Sequence, residues 1–308
     1  MPTGARPEPV PLRFEPLPGM ALAGESAGDG PPIVLLHGLT ATRRNVVQGS
    51  RHLSARGFRL IGYDARGHGE SGAAPERSAY EYADLADDLA AVLDELGLER
   101  AALAGSSMGA ATALRFALAH PDRVRALALI TPPRVDGRGD LRTGRGAANR
   151  PPVVGDHGAS PTGGYDPDDL DHWDRLADAL AAGDLDAFVD ESGANALPER
   201  WREPARIATR QRLERHRDLA AVADAVRVVS RSRAIEDTDA LGRLDVPALV
   251  VGSRDEPDPG HPLATAEALA GALPRAELIV EEPGDSPLAW QGARLSRAIG
   301  DFLDRTDR

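Results

Sequence analysis

A serine flanked by glycines is the residue of this sequence whose type and setting best suit chemistry. Ser107 lies in Gly105-Ser106-Ser107-Met108-Gly109, between an apolar run at 101–104 and an alanine-rich helical stretch. A Gly-x-Ser-x-Gly motif at such a junction predicts a sharp, strained strand-to-helix turn that exposes the serine hydroxyl. The glycines permit close backbone approach, and the first helical amides point towards the hydroxyl. The motif alone can arise by chance in a chain with 32 glycines, so the prediction of a nucleophile depends on this context.

The elements that would position Ser107 alternate between buried strands and helices. Apolar runs predict strands at 12–17, 20–23, 32–36, 58–64, 101–106, 124–130, 246–251 and 276–280. Helical periodicity falls at about 43–55, 82–96, 263–273 and 294–303. The first two strands predict an antiparallel hairpin. The alternation that follows predicts an α/β fold with a parallel sheet and right-handed crossovers.

One long segment interrupts this alternation. Residues 132–167 are rich in Gly, Pro, Arg and Asp, and helical patterns without strands follow at 168–182, 185–191 and, with interruptions, 199–230. We therefore predict a core in two parts, residues 1–132 and 241–308. Residues 133–240 are predicted to form an inserted helical cap that begins with a Gly/Pro-rich loop.

Composition excludes several classes of function. The 308 residues carry a net charge of −12, which argues against a nucleic acid or an anionic membrane as a partner. There is no cysteine, so disulfides and thiolate metal sites are excluded. No apolar signal region, transmembrane run, dinucleotide motif or cluster of metal ligands is visible. We expect a cytoplasmic protein of bacterial type that acts on a small molecule without a cofactor or metal.

Four segments together resemble the α/β-hydrolase family, in its cap-bearing esterase, haloperoxidase-like and C–C hydrolase group. They are Leu35-Leu36-His37-Gly38, the run 63–71 (Tyr-Asp-Ala-Arg-Gly-His-Gly-Glu-Ser), the Ser107 motif, and the run 247–255 (Pro-Ala-Leu-Val-Val-Gly-Ser-Arg-Asp). All occur in the order typical of the family. The resemblance implies an eight-stranded, mostly parallel sheet flanked by helices, with the active site at its C-terminal edge.

The resemblance also implies roles for individual residues. Ser107 takes the position of the nucleophile, and Asp255, just beyond a strand, that of the triad acid. The backbone N–H groups of Leu39 and Met108 take the positions that stabilise an oxyanion. His68 belongs to a turn that is structural in this family, so we place it outside the catalysis.

The sequence departs from the family in its last loop. The family places a histidine after the final strand, whereas this chain has Asp285 there and no histidine after His261. A serine hydroxyl needs a positioned base, and an ordinary aspartate, with a pKa of about 3.9, is a weak one. Next to Asp255, Asp285 could share a proton and so become a better base, at the expense of the orienting role of Asp255.

His261 is the second candidate for the base. It lies in Asp258-Pro259-Gly260-His261-Pro262, on a loop that leads into a helix at the same edge of the sheet. The prolines and glycine predict a fixed backbone course, which would direct His261 to a definite place. The alternative is a histidine at a helix start that faces solvent.

Three functions remain open from the sequence. The first is a serine-dependent hydrolase of a small ester, thioester or amide, with Asp285 or His261 as an atypical base. The second is a hydrolytically impaired family member that binds a small apolar ligand. The third is non-hydrolytic chemistry, such as an isomerase, lyase or cyclase step. We favour the hydrolase, because a pure binding protein has no need of Ser107, Asp255 and the oxyanion donors.

Overall fold

An eight-stranded sheet runs through the computed structural model, which describes residues 8–133, 170–254, 258 and 260–306. The strands are β1 (Val10–Leu17), β2 (Met20–Ala27), β3 (Pro32–Leu36), β4 (Arg59–Tyr63), β5 (Ala101–Ser106), β6 (Val124–Ile130), β7 (Ala248–Val251) and β8 (Ala276–Ile279). Their order is β1-β2-β4-β3-β5-β6-β7-β8. β1 pairs with β2, and β2 with β4, in antiparallel fashion, and all the other pairs are parallel. The predicted α/β-hydrolase fold and its entry hairpin are confirmed.

Helices cover both faces of this sheet. Those described are α1 (His52–Ala55), α2 (Tyr82–Glu95), α3 (Met108–Ala119), α4 (Leu170–Ala181), α5 (Leu185–Glu191), α6 (Glu199–Leu213), α7 (Leu219–Val229), α8 (Leu263–Ala272) and α9 (Gly292–Thr306). Because successive strand residues point to opposite faces, Val34 and Leu36 of β3 pack with α2, α3 and α8. Ile33 and Leu35 pack with α1 and α9 on the other face. The nucleophile turn is thus held between two apolar layers.

Four helices, α4 to α7, lie between β6 and β7 in the chain. They share an apolar cluster of their own, formed by Leu176, Ala177, Leu180, Phe188, Leu213, Val222, Ala223 and Val226. No strand occurs among residues 170–247. Most of the Gly/Pro-rich loop predicted before these helices lies outside the described residues, and the division into core and cap stays a prediction.

The helix predicted over 43–55 is wrong except for its last turn, α1. The side chain of Asn45 accepts hydrogen bonds of 3.0 Å from the N–H and the hydroxyl of Thr42, which gives the backbone a turn instead of a helix start. Gln48 and Gly49 then adopt φ of 48° and 71°, in the left-handed region that a helix cannot include. The apolar periodicity of this stretch reflects burial of Val46 and Val47, not a helix.

Candidate active site

Ser107 occupies the turn between β5 and α3 with φ 50° and ψ −115°. This conformation is costly for a residue with a side chain, and the packing around it leaves no alternative. A Cβ on Gly105 would lie 2.2 Å from the carbonyl oxygen of Gly109. A Cβ on Gly109 would lie 2.1 Å from the carbonyl oxygen of Leu36. Both glycines are therefore required for the turn to pack against β3, and the half-buried Ser107 is held at the end of its strand.

His261 brings its imidazole to the Ser107 hydroxyl. Its Nε2 lies 2.7 Å from Ser107 Oγ, and its Nδ1 lies 2.8 Å from Asp258 Oδ1. A short turn makes this possible, because the His261 N–H donates to the Asp258 carbonyl at 3.3 Å and Pro262 then begins α8. A serine, a histidine and a carboxylate thus form one chain of hydrogen bonds, in which the histidine and the carboxylate are only three residues apart.

The ionisation of Asp258 determines which nitrogen of His261 carries the proton. Burial alone would raise the pKa of Asp258, but the charge and hydrogen bond of His261, together with the charge of Arg212, lower it below its usual value. An ionised carboxylate only accepts hydrogen bonds, so Nδ1 must donate to it. Nε2 is then left as the acceptor for the Ser107 hydroxyl, which is the tautomer that a general base requires.

The predicted base Asp285 has a different partner. Asp285 follows β8, where its carboxylate pairs with Arg294 at 2.7 Å and its side chain is 47% exposed. Within the described part of the chain Asp285 makes no hydrogen bond to Ser107, whose Oγ pairs instead with His261. Asp255 lies outside the described residues. Asp258 was not singled out by sequence reasoning, although its spacing from His261 in a proline-bounded turn is a signal that could have found it.

The two predicted oxyanion donors, the N–H groups of Leu39 and Met108, belong to segments adjacent to Ser107. Met108 begins α3, so its N–H lies at the positive end of the helix. Leu39 follows Gly38, where a Cβ would lie 3.4 Å from the Cβ of Ser107, which shows how closely this loop approaches the serine. Neither N–H donates to another residue of the described chain. Both N–H groups are therefore available to a ligand, and their role as oxyanion donors stays a prediction.

A histidine after α6 holds the loop that contains Leu39. His216 Nε2 lies 2.9 Å from the carbonyl oxygen of Thr40, and its Nδ1 accepts the Gly69 N–H at 2.8 Å. Burial lowers the pKa of His216 and keeps the ring neutral, with its proton on Nε2. Thr40 itself has a φ of 60°, which is unfavourable for a β-branched residue and needs such support. Nothing in the sequence pattern singled out His216.

Two more buried histidines lie beneath this loop. The Nε2 of His37 accepts the Ala65 N–H at 2.9 Å, and its Nδ1 donates to the Gly38 carbonyl at 2.8 Å. Burial lowers the pKa of His37 to about 4. His68, which is 1% exposed, donates from Nδ1 to the Arg66 carbonyl, and burial lowers its pKa well below the usual value. Both rings contact backbone groups of the core, and neither makes a hydrogen bond to Ser107.

Within the described residues no three His, Cys, Asp or Glu side chains come together in a way that could hold a metal ion. None of the described helices combines the length and the apolar character that a bilayer crossing needs. The groups of this arrangement that can perform chemistry are Ser107, His261 and Asp258, together with the two amides.

Comparison with known proteins identifies the family of this fold. A family model described as the alpha/beta hydrolase fold matches residues 31–293. A thermophilic esterase from Thermogutta terrifontis superposes with a TM-score of 0.71 and 25% identity, over 98% of this chain and all of the esterase. A bromoperoxidase from Bacillus anthracis superposes with a TM-score of 0.72 over 96% of this chain and 100% of its own. Its identity is only 20%, so this likeness shows the fold alone.

Sequence relatives match only part of this chain. The AB hydrolase superfamily protein YisY of Bacillus subtilis (strain 168) is 44% identical over 96 residues, 31% of this chain and 35% of that protein. Epoxide hydrolase 2 of Siraitia grosvenorii is 37% identical over 109 residues, 35% of this chain and 34% of that protein. The matched region spans about a third of the length of these curated relatives.

Proposed function

Because the chain belongs to the alpha/beta-hydrolase family, we propose that it is a serine-dependent hydrolase of a small ester, thioester or amide in which His261 is the general base. The observation that carries this proposal is the 2.7 Å distance between His261 Nε2 and Ser107 Oγ. That distance is within the reach that proton transfer requires. The Asp258 carboxylate supports the role, since it fixes the tautomer and opposes the positive charge that forms on the ring.

Acylation follows from this geometry. Ser107 Oγ attacks the carbonyl carbon of the substrate while its proton passes to His261 Nε2. The carbonyl oxygen becomes an oxyanion, which the N–H groups of Leu39 and Met108 stabilise because they are fixed next to Ser107 before the reaction begins. His261 then gives the proton to the leaving alcohol, thiol or amine. The product of this step is an ester between Ser107 and the acyl group.

Deacylation uses the same groups. A water molecule attacks the acyl-serine carbonyl, and its proton passes to His261 Nε2. The oxyanion forms again between the two amides, and its collapse returns the proton to Ser107 Oγ and releases the acid. We further propose that α4 to α7 serve as a cap over this site, since His216 links the segment after α6 to the loop of Leu39.

The alternatives depended on the lack of a base at the family's histidine position. The hydrogen bond between Ser107 and His261 removes that reason for a pure binding function. Asp285 is a poor candidate for the base, because its carboxylate is half-exposed and paired with Arg294. An oxyanion site without an activated serine would still suit enolate chemistry, so the test must report on Ser107 itself.

A fluorophosphonate probe provides that test. It labels a serine only when a base activates the hydroxyl, so the wild-type protein should be labelled at Ser107, as peptide mass spectrometry would show. Ser107→Ala should abolish the label, and Ser106→Ala, the neighbouring serine, should retain it. Absence of labelling in a folded wild-type protein would refute the serine-hydrolase proposal.

A further inference from the structure

One arginine near the active site differs from its neighbours on α6. Arg202 donates to the Leu197 carbonyl at 2.7 Å, Arg206 pairs with Asp190 at 2.5 Å, and Arg210 pairs with Asp186. Arg212 has no side-chain hydrogen bond or ion pair with any described residue, and its Nε is buried without a partner. In a chain with 48 acidic residues, an arginine beside the active site with a buried, unpartnered Nε needs an explanation.

Arg212 lies close to the catalytic residues. It is on the last turn of α6, and the chain continues directly to His216, which bonds the carbonyl of Thr40 next to Leu39. The positive charge of Arg212 also acts on Asp258, the carboxylate that bonds His261. Arg212 is therefore four residues before the histidine that holds the oxyanion loop, and its charge acts on the carboxylate that bonds His261.

Arg212 as a whole is partly buried, and a charge that is partly removed from water without an ionic partner is unfavourable. Asp258 relieves part of that cost at a distance, but its Oδ1 already binds His261. Burial accordingly lowers the pKa of Arg212. A guanidinium presents parallel N–H donors that match a carboxylate. A substrate carboxylate at this place would supply both the missing charge and the missing acceptor.

We propose that Arg212 binds a carboxylate of the substrate, so that this site hydrolyses a small ester, thioester or amide that carries a carboxylate. The proposal rests on the hydrolase function argued above and names its substrate class. Arg212 would also oppose the repulsion that a protein of net charge −12 exerts on an anionic substrate. A local cation is then needed for an anionic substrate to be held next to Ser107.

Binding tests this proposal without catalysis. In the Ser107→Ala background, isothermal titration would compare mono-4-nitrophenyl glutarate with its methyl ester, which has the same shape but no charge. Arg212→Met should weaken binding of the acid by about 10- to 100-fold, as expected for a hydrogen-bonded charge, and leave the methyl ester within about threefold. Arg210→Met, on the same helix but paired with Asp186, should change neither.

Kinetics then separates the two proposals. The wild-type enzyme should have a higher kcat/KM for the acid than for its methyl ester, and Arg212→Met should remove that preference. Arg212→Lys, which keeps the charge but not the fork, should retain part of it. If wild type cleaves both esters equally and Arg212→Met lowers both alike, the carboxylate proposal fails while the hydrolase stands. If Ser107 is not labelled, the hydrolase fails, and the binding preference alone decides the carboxylate site.

Stability provides a check on the variant. Removal of a partly buried, unpaired charge should leave the melting temperature of Arg212→Met unchanged or raised. A lower melting temperature together with equal loss of both esters would show that Arg212 has a structural role, and would overturn the proposal. Failure of the Ser107→Ala protein to bind the acid more tightly than its methyl ester would overturn it as well.

Discussion

Two neighbouring loops offered an acid or base to Ser107, and they differ in what holds their side chains. In the loop after β7, Asp258 bonds His261, and His261 bonds Ser107. The side chains of Asp258 and His261 are only 18% and 23% exposed. In the loop after β8, Asp285 is 47% exposed and bonds Arg294. A carboxylate that has a partner within its own loop, as Asp258 has in His261, can thus be largely removed from solvent, whereas Asp285 stays half-exposed.

Solvation explains the difference. A buried carboxylate is costly unless it is paired, and Asp258 has both His261 and the nearby charge of Arg212. Asp285 has no such partner on the inside of its loop. Its ion pair with Arg294 is a surface pair, worth roughly 0–1 kcal/mol. The position that the family gives to histidine thus holds a solvated aspartate, while the proposed base, His261, lies on the preceding loop.

The largest expected effect comes from removing the proposed base from the loop after β7. His261→Ala removes the group next to Ser107 Oγ, and should lower kcat for a nitrophenyl ester by about 10⁴- to 10⁶-fold. Asp285→Asn, the matched change in the other loop, should leave kcat within about twofold. Steady-state assays of both variants decide the comparison. If Asp285→Asn lost most of its kcat while His261→Ala stayed active, Asp285 and not His261 would be the base.

The carboxylate of the first loop should come next. Asp258→Asn keeps the size of the side chain, but its amide can donate to Nδ1 and so stabilise the wrong tautomer of His261. We expect kcat to fall by roughly 10²- to 10⁴-fold. The rate of fluorophosphonate labelling of Ser107 should fall in parallel. Normal activity in Asp258→Asn would mean that another acid orients His261.

Sequence patterns predicted the fold well because local rules determine it. The buried runs at 32–36 and 124–130 appear as β3 and β6. The glycines around Ser107 are required because a Cβ at either position would lie only 2.1 or 2.2 Å from a carbonyl oxygen. The stretch 43–55 failed because side-chain bonds and left-handed residues, not apolar spacing, decide its course.

Long-range contacts made the site harder to predict. His261 reaches Ser107 across 154 positions, and His216 reaches Thr40 across 176. No spacing rule connects such residues. The sequence could only name His261 as a candidate from its proline-bounded turn, and it ranked Asp285 with it because the family pattern gives no information on solvent exposure. Arg212, which lacks any motif, could be found only from its buried, unpartnered Nε.

Acid stability limits the pH at which the loops can be compared. Burial lowers the pKa of His37 from 6.5 to about 4, and lowers those of His68 and His216 as well. Below pH 6.5 the unfolded chain gains protons that the folded chain does not, so stability falls as the pH falls. His37 alone should cost about 3 kcal/mol between pH 6.5 and 4.

Urea denaturation between pH 7.5 and 4.5 measures this loss, where His37→Gln should show a shallower dependence on pH than wild type. Equal slopes would contradict the assignment of His37 as a neutral, buried ring. Activity assays of the loop variants belong above pH 6.5, where a fall in rate reports on the catalytic residues and not on unfolding.

A buried glutamate joins the two loops. Glu281 is 2% exposed, and its Oε1 accepts the Arg254 N–H at 2.5 Å, while its backbone carbonyl accepts Arg254 Nε at 2.7 Å. Glu281→Ala leaves this partly buried N–H without its acceptor and should lower the free energy of unfolding by about 1–3 kcal/mol. The exposed neighbour provides the control, since Glu282→Ala should change it by less than about 0.5 kcal/mol. Equal effects of the two, in urea denaturation, would show that the loops are not joined in this way.

The smallest expected effect is the most informative about the two loops. Asp285→His places the family's histidine in its usual position, but the base is already present at His261, so kcat should stay within about twofold of wild type. The lost pair with Arg294 should cost less than about 1 kcal/mol of the free energy of unfolding.

In the His261→Ala background the same substitution tests whether the loop after β8 can supply the base. If Asp285→His then restores Ser107-dependent turnover, that loop can reach the serine once it carries an imidazole, and solvation of Asp285 is what keeps it away. If turnover is not restored, the backbone after β8 is itself misplaced for catalysis. A gain of several orders of magnitude from Asp285→His in the otherwise wild-type chain would instead contradict the assignment of His261 as the base.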